Sequence, residues 1–340
     1  MKELLNMGWK SKEEVLAFTG GKICIFGDTG TGKSTFLGTF PRINLVDTEA
    51  GQAFYLEDND NILNVLPTVS AAEVQEALDE LNDESIINEF DTIGIDSGTK
   101  LNENMQAAAY EVVENRARKQ RQKGKQIDLD DLNLSQRDWG HIKRWNQQLA
   151  TAYILFSNLG KWTVVTAHLK DVEQEVKTAN GETKKIKIGE RPDLAKKAEF
   201  DFDIILKSFV RVNEKTGERE FCAEVIKDRT KVTNVGDILV NPSFEIWKER
   251  WERTRKFGAK NVNLSSSVDA DKSRFEFEQE QENEIVEKFK NLINTLSQTD
   301  KKELIAQVKK AKIENPLKPK DSNEFSVLNN LVVEFEEKLK

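Results

Sequence analysis

The sequence predicts an α/β chain with a mainly parallel central sheet flanked by helices, followed by a small helical region. Three observations carry this. Short apolar runs such as "KICIF", "INLV" and "TIGI" alternate with longer runs of helical apolar spacing. The glycine-rich stretch "GDTGTGKST" stands where the first strand-like run gives way to a helix-like one. Past about Leu206 the alternation stops, and two strand-like runs flank "NEKTGE", which adds an antiparallel edge to the sheet.

The glycine stretch comes first in chain order. Gly27-x-x-x-x-Gly32-Lys33-Ser34 fits the phosphate-binding loop pattern, with a short buried strand before it and "STFLGTF" opening a helix after it. Glycines let successive backbone N–H groups turn inward toward phosphate oxygens, and a helix N-terminus adds partial positive charge. The expected nucleotide contacts are Gly27, Asp28, Thr29, Gly30, Thr31, Gly32, Lys33, Ser34 and Thr35. Lys33 would reach the β- and γ-phosphates, the Ser34 hydroxyl would bind Mg²⁺, and Thr35 suits the α-phosphate.

"RINLVDTEAG" follows as a second strand with Asp47, Thr48 and Glu49 at its C-terminal end, the edge where open parallel sheets bind ligands. Glu49 is the candidate for activating a water; a solvated turn carboxylate would look the same. "SAAEVQEALDELNDESIINE" has helical spacing with Ser70 as its N-cap. "FDTIGIDSGTKL" is a strand ending in Asp96-Ser97, and Asp96 is the expected partner of the Mg²⁺ shell. "GKWTVVTAHLK" is a further strand ending at Thr166-Ala167-His168. His168 is either a hydrogen-bonded strand-end residue or a γ-phosphate sensor that reports to the following loop. His141 falls on a helix and receives no role.

Two basic segments stand out. "ENRARKQRQKGKQ" gathers Arg116, Arg118, Lys119, Arg121, Lys123 and Lys125. "DVEQEVKTANGETKKIKIGERPDL" reads as a hairpin turning at Asn180-Gly181, with Lys177, Lys184, Lys185 and Lys187 near its tip. Each is either a solvated face or part of a groove for a phosphate backbone. Both follow strands of the nucleotide site and so should leave the sheet on one side, which favours the groove. "EREFCAEVIKDRTKV" reads as a strand ending in Lys227-Asp228-Arg229, whose two cations would share a face; they are either a solvated strand end or fingers toward a neighbouring subunit's γ-phosphate.

The remaining features set limits. At 340 residues the chain exceeds one ordinary core. The expected division is a nucleotide-binding domain over 1–258, a Gly/Ser/Asp-rich linker over 259–275 and a helical region over 276–340. "SFEIWKERWERTRKF" is an amphipathic helix that places Trp247 and Trp251 in the core or at a docking face. The net charge of −8 argues against nucleic acid bound over the whole surface, not against a local basic strip. Cys24 and Cys222 lie in strand-like runs without metal-ligand spacing and read as core thiols in a reducing cytoplasm. No apolar run approaches membrane-spanning length, and the N-terminal "MKELLNMGWKSKEEVLAF" lacks a signal's uninterrupted apolar stretch.

The ordered set "GDTGTGKST", "LVDTEAG", "TIGIDSGTKL", "VVTAHLK" and "VIKDRTK" resembles the phage-encoded AAA-type ATPases with a RecA-like core, over about Gly21 to Val232. The resemblance implies a P-loop NTPase fold, ATP and Mg²⁺ as cofactors, Glu49 as catalytic base, Asp96 in the Mg²⁺ shell, His168 as sensor, and Lys227 and Arg229 as the finger pair. It places DNA-binding loops after the Asp96 and His168 strands, where the basic segments lie. The sensor of the recombinases is usually glutamine, so histidine departs from strict recombinase behaviour. The resemblance does not extend to the C-terminal region.

The function expected is an oligomeric ATPase, ring or filament, that binds single-stranded DNA in phage recombination, annealing or replication, in the cytoplasm of an infected bacterium. A phage single-strand-binding or replication protein is the candidate partner of the C-terminal region. One competing reading is a helicase or helicase loader, and another is a nucleotide-gated interaction protein with little turnover.

Overall fold

The computed structural model describes residues 20–51, 57–83, 85–123, 126, 128–129, 132–177, 183–255, 282–319 and 322–338. The chain divides into two compact units, Met1–Val262 and Asn263–Lys340. The stretch 259–275, expected to be a linker, lies outside the described residues, as do Lys125 and the turn at Asn180-Gly181.

The first unit is built on a nine-stranded sheet. Its strands are β1 Gly21–Gly27, β2 Ile43–Asp47, β3 Ile62–Pro67, β4 Thr92–Asp96, β5 Trp162–Lys177, β6 Thr183–Pro192, β7 Ile204–Val212, β8 Arg219–Asp228 and β9 Ile238–Val240. They lie in the order β3-β2-β4-β5-β1-β7-β8-β9, with β6 paired to the outer half of β5. From β3 to β7 neighbouring strands are parallel; β8, β9 and β6 pair antiparallel. This is the expected mixed α/β architecture with a mainly parallel central sheet flanked by helices.

The α-helices among the described residues of this unit are α1 Lys33–Leu37, α2 Ala71–Leu81, α3 Gly98–Gln122, α4 Gln136–Asn158 and α5 Glu245–Arg255. The two sheet faces bury separate cores, as a parallel sheet covered on both sides requires. One holds Cys24, Phe26, Ile93, Ile95 and Val165 against Val74 and Leu78 of α2, Leu101 of α3, and Leu149 and Phe156 of α4. The other holds Ile23, Ile25, Leu45 and Val164 against Phe36 and Leu37 of α1 and Trp247 and Trp251 of α5. Trp247 has no exposed surface and Trp251 almost none, which settles both as core aromatics. Burying each such side chain contributes about 1.5–3 kcal/mol. Cys24 and Cys222 are buried free thiols, and burial pushes the Cys24 pKa up, away from reactivity.

Local chemistry explains most element boundaries. Ser70 caps α2 by accepting from Glu73 N, and Ser135 forms a capping box with Asp138 at the start of α4. Helix α1 is shorter than its sequence suggests. It stops after five residues, where Gly38 closes it and the Thr39 hydroxyl donates to the Phe36 carbonyl. The helix dipole behind the phosphate loop is correspondingly small. Strand β3 was not foreseen: "ILNVLP" is a half-exposed edge strand ending in proline, so it lacks a buried run's signature.

The described residues of the second unit form α6 (282–295), α7 Gln298–Lys310 and α8 Ser322–Lys338. Phe289, Leu292, Leu304, Val308, Leu328, Val332 and Phe335 form its core. No described helix is long and apolar enough to cross a membrane.

Candidate functional site

Strand order gathers the polar strand ends along one edge. Asp47 is paired with Asp96 across β2 and β4, Ile95 with Val165 across β4 and β5, Gly27 with His168 across β5 and β1, and Gly27 with Ser208 across β1 and β7. The chain segments that carry the site thus sit side by side at the C-terminal ends of parallel strands, although residues as far apart in sequence as Gly27 and Ser208 are paired there.

The loop after β1 has the backbone the glycines were expected to allow. Gly30 and Gly32 have φ of 73° and 83°, where a side chain is strained. A Cβ on Gly27 would overlap the hydroxyl and carbonyl oxygens of Ser208 on β7. Thr31 ties the loop down: its hydroxyl donates to Asp28 O over 2.8 Å and lies 2.7 Å from Ser208 Oγ. Lys33 Nζ curls back to donate to the carbonyls of Gly27 (3.0 Å) and Asp28 (2.7 Å). Burial lowers the Lys33 pKa, opposed by the carboxylates of Asp96, Glu49 and Asp28. Asp28, Thr29, Gly30 and Thr35 are exposed.

Beside the loop, Ser34 Oγ donates to Asp96 Oδ2 over 2.7 Å, and the Thr166 hydroxyl donates to the other Asp96 oxygen. One hydroxyl and one carboxylate suit Mg²⁺, which keeps several waters and takes few protein ligands beside phosphate oxygens. The cradle at Gly27 and this donor pair fit a magnesium-bound nucleoside phosphate.

The second acidic motif is joined to the first by hydroxyls. Ser97 N donates to Thr48 Oγ1 over 2.7 Å, Thr48 Oγ1 donates to Ser97 O over 3.0 Å, and Thr48 N donates to Asp96 O over 2.8 Å. Glu49 is thereby held over the end of β4. Its Oε1 accepts from Ser97 Oγ at 2.6 Å and lies 2.8 Å from His168 Nε2. Both contacts fall on Oε1, and Oε2 has no hydrogen bond among the described residues. Burial pushes the Glu49 pKa up, but the Ser97 hydroxyl and the His168 ring outweigh it and hold the carboxyl below its ordinary value. His168 is fixed in turn: its N–H donates to Thr99 Oγ1 over 2.9 Å, and the Thr99 hydroxyl donates to Asp193 O over 2.9 Å at the far end of β6.

Lys33, Ser34, Asp96, Glu49 and His168 are therefore brought together. Thr48, Ser97, Thr99, Thr166 and Ser208 complete the network and were not singled out from sequence. The available signal was a Thr or Ser directly beside a strand-end acid for Thr48 and Ser97; Thr99, Thr166 and Ser208 carried no such signal.

Lys227 and Arg229 sit apart from this cluster, and their geometry differs from the expected one. Strand β8 ends at Asp228, so Arg229 falls in the following turn rather than on the strand face of Lys227. Lys227 Nζ donates to the carbonyls of Glu199, Phe200 and Phe202, while Arg229 Nη1 lies 3.9 Å from Asp203 Oδ1 and remains largely exposed. Asp228 between them is an anchor. Its carboxylate accepts from the N–H and hydroxyl groups of Thr230 and Thr233 and from Trp247 Nε1.

The basic segments form two arms. Helices α3 and α4 run antiparallel, since Asn146 meets Asn102 and Arg116 meets Asp138. Helix α4 rises about 35 Å from the base of β5, whose in-sheet half spans about 23 Å. The C-terminal end of α3, with Arg116, Arg118, Lys119, Arg121 and Lys123, therefore lies toward the edge that carries the site. The β5–β6 hairpin leaves the same edge. Several of its lysines are paired: Lys187 with Asp171 (2.7 Å) and Glu190 (2.6 Å), and Lys185 more loosely with Glu173 (3.8 Å). Arg118 pairs with Glu114 and Arg116 with Asp138. Lys119, Arg121, Lys177 and Lys184 have no ion pair among the described residues.

Residues 19–224 match the family model described as an AAA domain. The chain belongs to the AAA domain family. The matched span runs from just before β1 into β8 and includes every member of the loop, Asp96, Glu49 and His168 cluster, so the AAA domain here is a P-loop NTPase in its residues as well as its fold. No curated protein matches the chain. Among solved structures, a KaiC-like protein from the archaeon Pyrococcus horikoshii is similar at 12% identity, over 66% of this chain and 90% of that one, with a TM-score of 0.35. The flagellar accessory protein FlaH from Methanocaldococcus jannaschii is similar at 13% identity, over 66% and 91%, with a TM-score of 0.34. At that distance neither says what this AAA domain acts on.

Proposed function

We propose that this AAA domain hydrolyses ATP with Mg²⁺ and couples turnover to single-stranded DNA, as a homo-oligomer in phage recombination, annealing or replication. The observation that carries the catalytic part is Glu49, ionised and oriented by Ser97 and His168 through one oxygen, with the other oxygen unpaired. That arrangement supports reading it as a general base over a turn carboxylate. Glu49 Oε2 would orient a water and take its proton. Gly27, Gly30 and Gly32 give the loop its shape, and Lys33, released from the loop carbonyls, would hold the phosphates. Magnesium, held by Ser34 with Asp96 behind it, would supply charge neutralisation at the transferring phosphoryl group.

The DNA part rests on the two arms at the site edge and on the chain Glu49–His168–Thr99–Asp193, which links the base to the root of the β5–β6 hairpin. The phage setting and assembly rest on the motif resemblance. A second reading is favoured by the ion pairs of Lys185 and Lys187 and by the exposed Val176, Ile186 and Ile188: the hairpin would then present a neutral, apolar surface to a protein partner.

Hydrolysis measured with and without single-stranded DNA decides between them. Stimulation that fades with rising salt supports DNA coupling. ATPase activity without any response to DNA at about 50 mM salt supports the protein-partner reading.

A further inference from the structure

Phe221 is a half-exposed aromatic ring on a strand that otherwise faces a core. Residues 221, 223 and 225 of β8 share one face, and Ala223 and Val225 are buried against Phe36 of α1 and Trp247. Phe221 continues that face outward to the site edge and keeps 41% of its surface exposed. There it meets the phosphate loop: a Cβ on Gly32 would lie 2.9 Å from Phe221 Cδ1 and 3.0 Å from Cγ. Tyr110, Trp139 and Phe200 are also exposed aromatics, but it is the Phe221 ring that a Cβ on Gly32 would meet.

The direction of a bound nucleotide follows from the strand order. Asp96 and Glu49 fix the reacting phosphate on the β4 and β2 side of β1. The rest of the nucleotide must leave on the opposite side, toward β7 and β8, passing the exposed Thr35 at the start of α1. Strand β8 is two strands, or about 10 Å, from β1. Phe221 is the ring waiting at that end. Asn241 N donates to Phe221 O over 2.6 Å, which ties the Phe221 backbone to the residue after β9 and steadies the position that carries the ring.

We infer that Phe221 is the stacking platform for the base of the bound nucleotide. This rests on the phosphate-loop reading above, because only phosphates seated at Lys33 send the base this way. Stacking on an aromatic ring is tolerant of base identity, so the platform would add affinity more than selectivity.

The test compares two probes on the full chain, Mg-ATP and Mg-tripolyphosphate, by calorimetric titration. Phe221→Ala should weaken ATP binding roughly 5- to 100-fold and leave tripolyphosphate binding unchanged, and Phe221→Tyr should restore ATP binding. Unchanged ATP affinity in Phe221→Ala would overturn the inference. Equal losses for both probes would also overturn it, since Phe221 would then only brace the loop at Gly32. If the unmodified chain bound neither probe, the phosphate-loop reading itself would fail, and the platform with it.

Discussion

The chemistry of this AAA domain turns on a few short hydrogen bonds. Lys33 is the one cation of the loop, and no other described cation shares its contacts with Gly27 and Asp28. Lys33→Ala should therefore abolish hydrolysis and weaken ATP binding greatly in a titration, because the β/γ charge loses its in-loop partner. Ser97 acts through Glu49. Its hydrogen bond helps hold the Glu49 pKa below the ordinary value, so the base form persists as pH falls. Turnover that needs ionised Glu49 is complete above its pKa and declines as pH drops through it. Ser97→Ala removes a bond that lowers this pKa, so the acid limb of the kcat–pH profile should move to higher pH. A profile displaced nowhere would make Ser97 a bystander. The place of Glu49 among the strand-end groups was legible from sequence because it follows the second apolar run after the glycine loop, and parallel strands end on one edge. The Thr48–Ser97 bonds that seat it were not, because hydroxyl pairing depends on which strands become neighbours.

At the scale of elements, the strand ends were easier to read than the strands' surroundings. The apolar runs before Gly27, Asp47, Asp96 and His168 gave β1, β2, β4 and the inner half of β5 directly. Strand β3 and the three-residue β9 escaped notice because Asn64 interrupts the apolar run of β3 and Pro67 ends it, while β9 is too short to show an alternation. The Lys227-Asp228-Arg229 run was read for its cations, yet the aspartate has the clearest structural role. Burial alone would push the Asp228 pKa up, but bonds from Thr230 and Thr233 outweigh this and hold it below the ordinary value. Its stabilising effect is therefore present above the unfolded-state pKa of about 3.9 and is lost as pH falls through the folded value. Asp228→Asn should cost about 2–3 kcal/mol in urea unfolding at neutral pH, with the gap to the parent narrowing below about pH 4. A gap independent of pH would show that the charge is not what anchors the turn. In the arms, Lys184→Glu combined with Lys185→Glu should weaken single-stranded DNA binding equally for all sequences, whereas a loss confined to one sequence would contradict backbone contact.

For the whole molecule, the family match and the polar network coincide within the first unit, while the second unit has its own core around Phe289 and Phe335. The helical character of that second unit was legible from its periodicity; its purpose was not, since packing residues carry no chemistry. Arg229 is exposed at the molecular surface and Lys227 is occupied by carbonyls of its own chain. Of the proposed finger pair, Arg229 is thus the one with freedom to reach a neighbour. If it completes a site in trans, mixing Glu49→Gln chains with Arg229→Ala chains, each inactive alone, should recover part of the ATPase activity. No recovery in demonstrated co-assemblies would assign Arg229 to its own chain or to none.

The central claim is that Glu49 is the base of an ATP-hydrolysing site, and Glu49→Gln tests it most directly because the amide keeps the size and the contact to Ser97. Measured side by side, ATP affinity should stay near that of the unmodified chain while kcat falls roughly 100-fold or more. Turnover equal to the unmodified chain would contradict the account and leave Glu49 as a surface carboxylate.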